Sequence, residues 1–346
     1  MSYVIPNNSK SSIVLYLDSR DATSYLATKL ETDNAGVSRE INLNSYFQYV
    51  LTENIEVPLN QRALVSLQSA TIPYSFYNIR TDVNDKLIYR ITDETSGAVI
   101  NSTLTLLNGN YTAYSLQNAV IDFINDNQVI GSLEYTFDMI YDSDKNKYLY
   151  SITNKINANI LRLDFFFEDS IKSCNVEIGF EPNNHFIKSN TDISKRFSQN
   201  VIDINGSIHG VYIRSNLVSK GTLDSQNGTL SNILARLPIA VQSGGIIFGD
   251  HNNHRSIVDL KYINTITIRL TDERNRILDL NGLHFQVAIQ IDFIYSKKPV
   301  LLPNGGLSES QELSFHNEDK QKLINKRIKE TKKKQSKIIN DTKSKK

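Results

Sequence analysis

Through most of the chain apolar residues alternate with polar ones or cluster over strand lengths, the pattern of half-buried β-structure. The runs SSIVLYLDSRD (Ser11 to Asp21), FQYVLTENIEVP (Phe47 to Pro58) and ALVSLQSATIP (Ala63 to Pro73) are each followed by Pro or polar breaks. The style returns from Gln199 to Leu217, where Asn205-Gly206 separates two short runs, then in GGIIFG (Gly244 to Gly249) and from Ile263 to Tyr295. In that last stretch Ile266, Ile268 and Leu270 share one face, and Phe285, Val287, Ile289 and Ile291 share one face beyond a turn, which predicts a hairpin. Between them Asp272 to Asn275 form a polar loop and Asn281-Gly282 a second turn, because both residues tolerate positive φ.

One segment departs from the alternation. GNYTAYSLQNAVIDFINDN (Gly109 to Asn127) carries Leu116, Val120, Phe123 and Ile124 at helical spacing, with Thr112 or Ser115 placed to cap the start. Strand-like runs flank it: KLIYRIT and AVINSTLTLL before, LEYTFDMIYDSDKNKYLYSIT and ANILRLDFFFED after, with a turn at Asp142 to Asn146. The pattern predicts a mainly β chain: a β-sandwich interrupted by an inserted ββαββ-like module and followed by a basic C-terminal tail. Residues 1–84 are assigned to the first part of the sandwich, 85–181 to the inserted α+β module, 182–300 to the second part and 301–346 to a linker and basic tail.

Length and composition narrow the classes. At 346 residues and 40% hydrophobic content the chain can bury a real core, and 17 Tyr and 14 Phe with no Trp suit strands. The single cysteine, Cys174, excludes an intrachain disulfide and a Cys-based zinc site, pointing to assembly in a reducing compartment; its simplest reading is a small buried apolar residue. Met1 leads into SYVIPNNSKSS with neither a basic nor an apolar leader region, and no later stretch has the length of a membrane span, so neither secretion by signal peptide nor membrane crossing is expected. Sequons at Asn101, Asn110 and Asn227 then read as turn chemistry. Net charge is +1, but Glu318 to Lys346 holds 12 Lys and Arg against 4 Asp and Glu, a net +8 that leaves about −7 on the body. That tail, with Lys326, Arg327, Lys329, Lys332, Lys333 and Lys334 at its centre, has too few apolar residues for a core and suits an anionic partner, nucleic acid or membrane headgroups, if it has one.

Candidate chemistry is sparse. GxGxxG after a strand, GxxxxGK[ST], GxSxG, HExxH and the EF-hand loop are all absent. Asp250, His251 and His254 in GDHNNHRS could meet a divalent ion, yet Asn and Asp there favour turns and further ligands are missing, so no metal site and no cofactor are expected. Ser243-Gly244-Gly245 precedes a strand and reads as a bend. Asp272 and Glu273 are turn carboxylates; Asp272, Glu273, Arg274 and Arg276 together are candidates for holding neighbouring loops or subunits rather than for acid–base catalysis. Two other classes stay open: a receptor- or glycan-binding sandwich, with the aromatics of PYSFYN (Pro73 to Asn78) stacking on sugars unless they pack into the core, and a hydrolase on a sandwich scaffold, which lacks a recognisable constellation.

Five segments in order, RALVSLQSATIPYSFYNI (Arg62 to Ile79), LLNGNYTAYSLQNAV (Leu106 to Val120), HGVYIRSNL (His209 to Leu217), NILARLPI (Asn232 to Ile239) and ITIRLTDERNRILDLNG (Ile266 to Gly282), resemble minor capsid or penton proteins. These belong to eukaryotic DNA viruses with icosahedral double-jelly-roll capsids, such as virophages, Polinton-like viruses and nucleocytoplasmic large DNA viruses. The resemblance covers most of Arg62 to Tyr295. It implies a mainly β jelly-roll β-sandwich, with two jelly rolls side by side as the alternative when the module strands are counted in, and a non-enzymatic virion protein at capsid vertices, assembled in host cytoplasm or nucleus. The implied partners are copies of itself in a pentamer and a major capsid protein, and the basic tail would turn towards viral DNA or an internal membrane.

Overall fold

The structure, a computed structural model, describes residues 11–32, 36–59, 61–129, 133–168, 172–205, 208–218, 222–224, 229–250 and 254–295. Two compact units are distinguished. Residues 1–11, 57–63 and 293–346 form one, of which only the strand ends at 11, 57–59, 61–63 and 293–295 are described. The other, 12–56 with 64–292, holds the sandwich and the module.

In chain order the strands are β1 (Ser11–Asp18), β2 (Ser24–Tyr25), β3 (Thr28–Thr32), β4 (Ser38–Asn42), β5 (Tyr46–Glu56), β6 (Gln61–Pro73), β7 (Lys86–Asp93) and β8 (Val99–Thr105). Helix α1 (Ala113–Asp126) follows, then β9 (Tyr135–Asp142), β10 (Lys147–Asn154), β11 (Leu161–Phe165), β12 (His185–Lys188), β13 (Lys195–Phe197) and β14 (Gly210–Ser215). The last group is β15 (Thr222–Asp224), β16 (Thr229–Ser231), β17 (Ile233–Pro238), β18 (Ile246–Asp250), β19 (Ser256–Val258), β20 (Tyr262–Thr271) and β21 (Gln286–Tyr295).

Eight of these strands make two sheets of four, each extended by a short extra strand: β1-β21-β6-β18, with β19 also on β6, and β17-β14-β20-β5, with β2 beyond β5. Relabelled B to I in chain order, the sheets read B-I-D-G and F-E-H-C, the order of a single jelly roll. The chain is therefore a mainly β jelly-roll sandwich, and the described residues do not form a second one. Alternation drives it: Ile266, Ile268 and Leu270 on β20 and Val287, Ile289 and Ile291 on β21 are all buried. Phe47 of β5 meets Phe285, at the entrance to β21, with ring centroids 5.5 Å apart, so the buried rows of the two sheets face each other.

The expected Ile263 to Tyr295 hairpin is not formed, because β20 and β21 lie in opposite sheets. Period-two alternation reports which face is buried and not which strand is the hydrogen-bonded neighbour, so an inter-sheet crossing and a hairpin look alike in sequence. The Asn281-Gly282 turn does form, at φ 50° and 81°, and lies within that crossing.

The module is inserted between β6 and β14. One sheet runs β12-β11-β7-β8, the other β13-β10-β9, and α1 packs against β9 and β8. Thr112 caps the helix: its hydroxyl accepts the Ser115 N–H at 3.1 Å, and the Ser115 hydroxyl accepts the Thr112 N–H at 2.9 Å. Leu116, Val120 and Ile124 enter a core built around Tyr135, Phe137, Tyr148, Tyr150, Phe165 and Phe167. Pairing carries the module past the expected boundary at 181: β12 pairs β11 and β13 pairs β10, so 185–197 belong to the insertion and not to the sandwich. Two strands of only four and three residues separated by polar turns carry too little alternation to be assigned from sequence.

The sheets meet closely at Gly249 of β18, where a Cβ would fall on the methyls of Leu237 on β17. Gly249→Val is expected to lower stability by roughly 1–3 kcal/mol through overpacking, and Leu237→Ala in the same chain should recover part of it in urea titrations. Equal stability of Gly249→Val and the parent would show that the sheets are not in contact there.

Candidate functional site

The loop after β20 is organised by one carboxylate. Asp272 has no exposed surface. Its Oδ1 accepts the N–H groups of Arg274 and Arg276, both at 2.9 Å, while Oδ2 receives Arg276 Nε at 2.7 Å and Arg80 Nη1 at 3.3 Å. The Asp272 N–H donates to the Arg276 carbonyl at 2.9 Å, and Asn275 takes φ 61° to close the turn. Asn275 Oδ1 accepts Arg269 Nη2 at 2.9 Å, and Glu273 Oε1 accepts the backbone N–H of His209 at 2.7 Å. Of the four candidates, Asp272, Glu273 and Arg276 thus make contacts within the chain, and the Arg274 side chain is exposed.

Arg80 links this loop to the module. It follows β6 and is mostly buried; burial lowers its pKa, and Arg276 nearby acts the same way, while Asp272 opposes both. Its Nε and Nη2 are buried without partners. Beyond it lies Glu177, 2% exposed, with Oε1 accepting Asn84 Nδ2 at 2.5 Å and Oε2 buried without a partner. Asn84 Oδ1 accepts the Arg80 N–H at 2.9 Å and its Nδ2 reaches the Asn78 carbonyl at 2.8 Å. Asn78 in turn bonds the Tyr111 and Ile204 carbonyls at 2.7 and 2.6 Å. Burial is the main force on Glu177 and pushes its carboxyl up to about 7, with the Asn84 hydrogen bond and the Arg80 charge opposing it. Neither Arg80 nor Glu177 was singled out from sequence: each is an isolated charge in an aperiodic stretch, and only the fold makes it a buried one.

The remaining candidates are dispersed. Asp250 is exposed and His254 shares a hydrogen bond with Ser256 at 3.2 Å, while His251 lies outside the described residues. Among the described residues no group of three His, Cys, Asp or Glu could hold a metal, and no helix is long and apolar enough to cross a membrane. Cys174 is buried, and burial raises its thiol pKa. In PYSFYN, Tyr74 and Phe76 are core residues with centroids 4.6 Å apart, so those rings are not open to a sugar. Lys326, Arg327, Lys329, Lys332, Lys333 and Lys334 lie outside the described residues.

No protein-family model matches the chain, and no curated protein does. Among solved structures, the crystal structure of selenomethionine-labelled mavirus penton protein is similar: identity is 13%, the TM-score 0.46, and the match covers 82% of this chain and 100% of that one.

The buried Glu177 makes stability depend on pH. Its folded pKa, about 7, lies above the ordinary 4.5, so between those values the native state binds a proton that the unfolded chain does not. Stability therefore falls as pH rises through that window, by up to ~3 kcal/mol. In urea melts at pH 5, 6, 7 and 8, Glu177→Gln should remove that decline and equal or exceed the parent at pH 8. An unchanged slope would assign the pH dependence to other groups.

Proposed function

We propose that the chain is a structural virion protein, a minor capsid or penton protein at capsid vertices, without enzyme activity. The observation that carries this reading is the strand order: one complete B-I-D-G and F-E-H-C sandwich with a separate module between D and E. The five ordered segments of sequence resemblance, four of which run through sandwich strands β6, β14, β17 and β20, support it. Its partners are then further copies of the chain and a major capsid protein. Copies would meet head to tail through unlike patches, closed by fivefold rotation into a pentamer. Arg274, at the tip of a loop fixed from within by Asp272, is the residue of the expected set best placed to meet a neighbour. The basic tail would face viral DNA or an internal membrane, a reading that rests on its charge alone.

In solution the full chain is expected at five times 39.2 kDa by light scattering, with rings in negative stain. Arg274→Glu should leave the circular dichroism spectrum and melting temperature unchanged and shift the population to monomer; full pentamers from this variant would remove the loop from the interface. Deleting Lys320 to Lys346 should abolish co-sedimentation with DNA or with anionic liposomes at low salt. Equal co-sedimentation of the truncated and full chains would end the tail hypothesis.

A further inference from the structure

We propose that the outward face of the β12-β11-β7-β8 sheet binds a saccharide bearing a single acidic group, with Arg90 meeting the acid. A surface groove of about 480 Å³ lies there, lined by Ile88, Arg90, Asn101, Ser102, Thr103 and Phe166. It opens along β8, which ends the sheet order. Arg90 is exposed yet held from two sides: its guanidinium carbon sits 4.6 Å from the Phe166 ring centroid, and its Nε donates to Asn101 Oδ1 at 3.1 Å. Among the described residues its two terminal nitrogens have no acceptor, so a fixed guanidinium fork faces the groove.

The charges around it define the ligand class. Asp164 stands directly across the ladder from Arg90, but Arg162 holds that carboxylate at 2.7 Å and itself lies 4.4 Å from the Phe186 ring centroid. On the same face Lys188 pairs with Glu94 at 2.6 Å, and Lys86 lies 3.2 Å from the buried carboxylate of Asp85. Arg90 is thus the cation on this face, among the described residues, that lacks an acidic partner. A polyanion such as nucleic acid gains affinity from many unpaired cations and finds one here. An extended peptide needs side-chain pockets, and this surface is shallow and mostly polar. What one fixed guanidinium, the Asn101 amide, the Thr103 hydroxyl and the apolar surfaces of Phe166 and Ile88 do match is a sugar: one acid for the fork, hydroxyls for the polar groups, a C–H face for the apolar ones. Because Arg90 is already immobilised, binding loses little of its rotamer freedom.

The groove lies on the module and holds whether or not the chain builds a shell. The test is saturation-transfer NMR on the full chain at low salt with 3′-sialyllactose, lactose 3′-sulfate and plain lactose. An acidic sugar should bind with Kd on the order of 1 mM, and lactose about 10-fold more weakly or worse, as expected for the loss of a charge-assisted pair. Arg90→Gln, a change at an exposed position, should lose about 10-fold towards the acidic sugar and leave the melting temperature unchanged. Thr103→Ala provides a second, weaker loss should Arg90→Gln disturb the fold. Binding of 3′-sialyllactose alone identifies a carboxylate as the group recognised, and of lactose 3′-sulfate alone a sulfate. Equal response to lactose and to the acidic sugars, retention of binding in Arg90→Gln, or no response to either acidic sugar overturns the proposal.

Discussion

Asp272 sits at the point where β20 must leave one sheet so that β21 can join the other. A chain that simply reversed there would pair β21 with β20 and bury the same alternating face against the same sheet. Instead the carboxylate takes two backbone N–H groups and two guanidinium groups, and the strand turns back at Thr271 and Ile277, which form an isolated bridge, before crossing over. With no exposed surface, this charge is tolerable only while its partners stay in place; breaking such a buried pair costs about 3–5 kcal/mol. One of those partners, Arg80, lies between the last residue of β6 and the module, so the same interaction fixes where the insertion leaves the sandwich.

What was legible in the sequence was the face of each long strand and the one helix. Ile266, Ile268 and Leu270, and Val287, Ile289 and Ile291, are buried as their spacing requires, and Leu116, Val120 and Ile124 line the inner side of α1. The turn residues were legible too, since Asn146, Asn275 and Asn281 all adopt positive φ. Strand partnership was not, because it depends on residues distant in sequence; hence the mistaken hairpin. Nor was the end of the module, where β12 and β13 are short and polar-flanked. The charged candidates at 272–276 were found as a cluster, but their direction could not be. A buried Asp272 and an exposed Arg274 two residues on differ in the turn geometry between them and in nothing that composition records.

The module explains the abundance of tyrosine without tryptophan more fully than strand propensity does. Tyr135, Tyr148 and Tyr150 are buried, and each hydroxyl donates to a backbone carbonyl: Ile124 at 2.7 Å, Ala113 at 2.6 Å and Ile178 at 2.8 Å. Two of those carbonyls belong to the first and last turns of α1, so the rings fill the core while their hydroxyls fasten the helix at both ends. Burial holds all three phenols above their ordinary pKa, which keeps them protonated donors. Phenylalanine at these positions would fill the same space and leave three buried carbonyls without this donor.

Arg274 and Arg90 are presented outward by parts of the chain that are themselves immobile. The backbone at Arg274 is fixed by its N–H bond to Asp272, and Arg90 by its ladder partners on both sides, the Phe166 ring and the Asn101 amide. A charge on a flexible stem gains little from a partner at the surface, because ordering it offsets most of the attraction. A charge in a fixed rotamer retains more of that attraction, and one on a fixed backbone still discriminates by position as well as by sign. In the proposed assembly Arg274 would contribute to register between neighbours more than to their affinity. For Arg90, whose guanidinium itself is clamped, the proposed groove would select a single acidic group by its position. The internal charge network therefore has an external consequence: by taking up Asp272 and Arg276 inside the chain, it leaves Arg274 as the charge of the 272–276 loop whose side chain remains exposed.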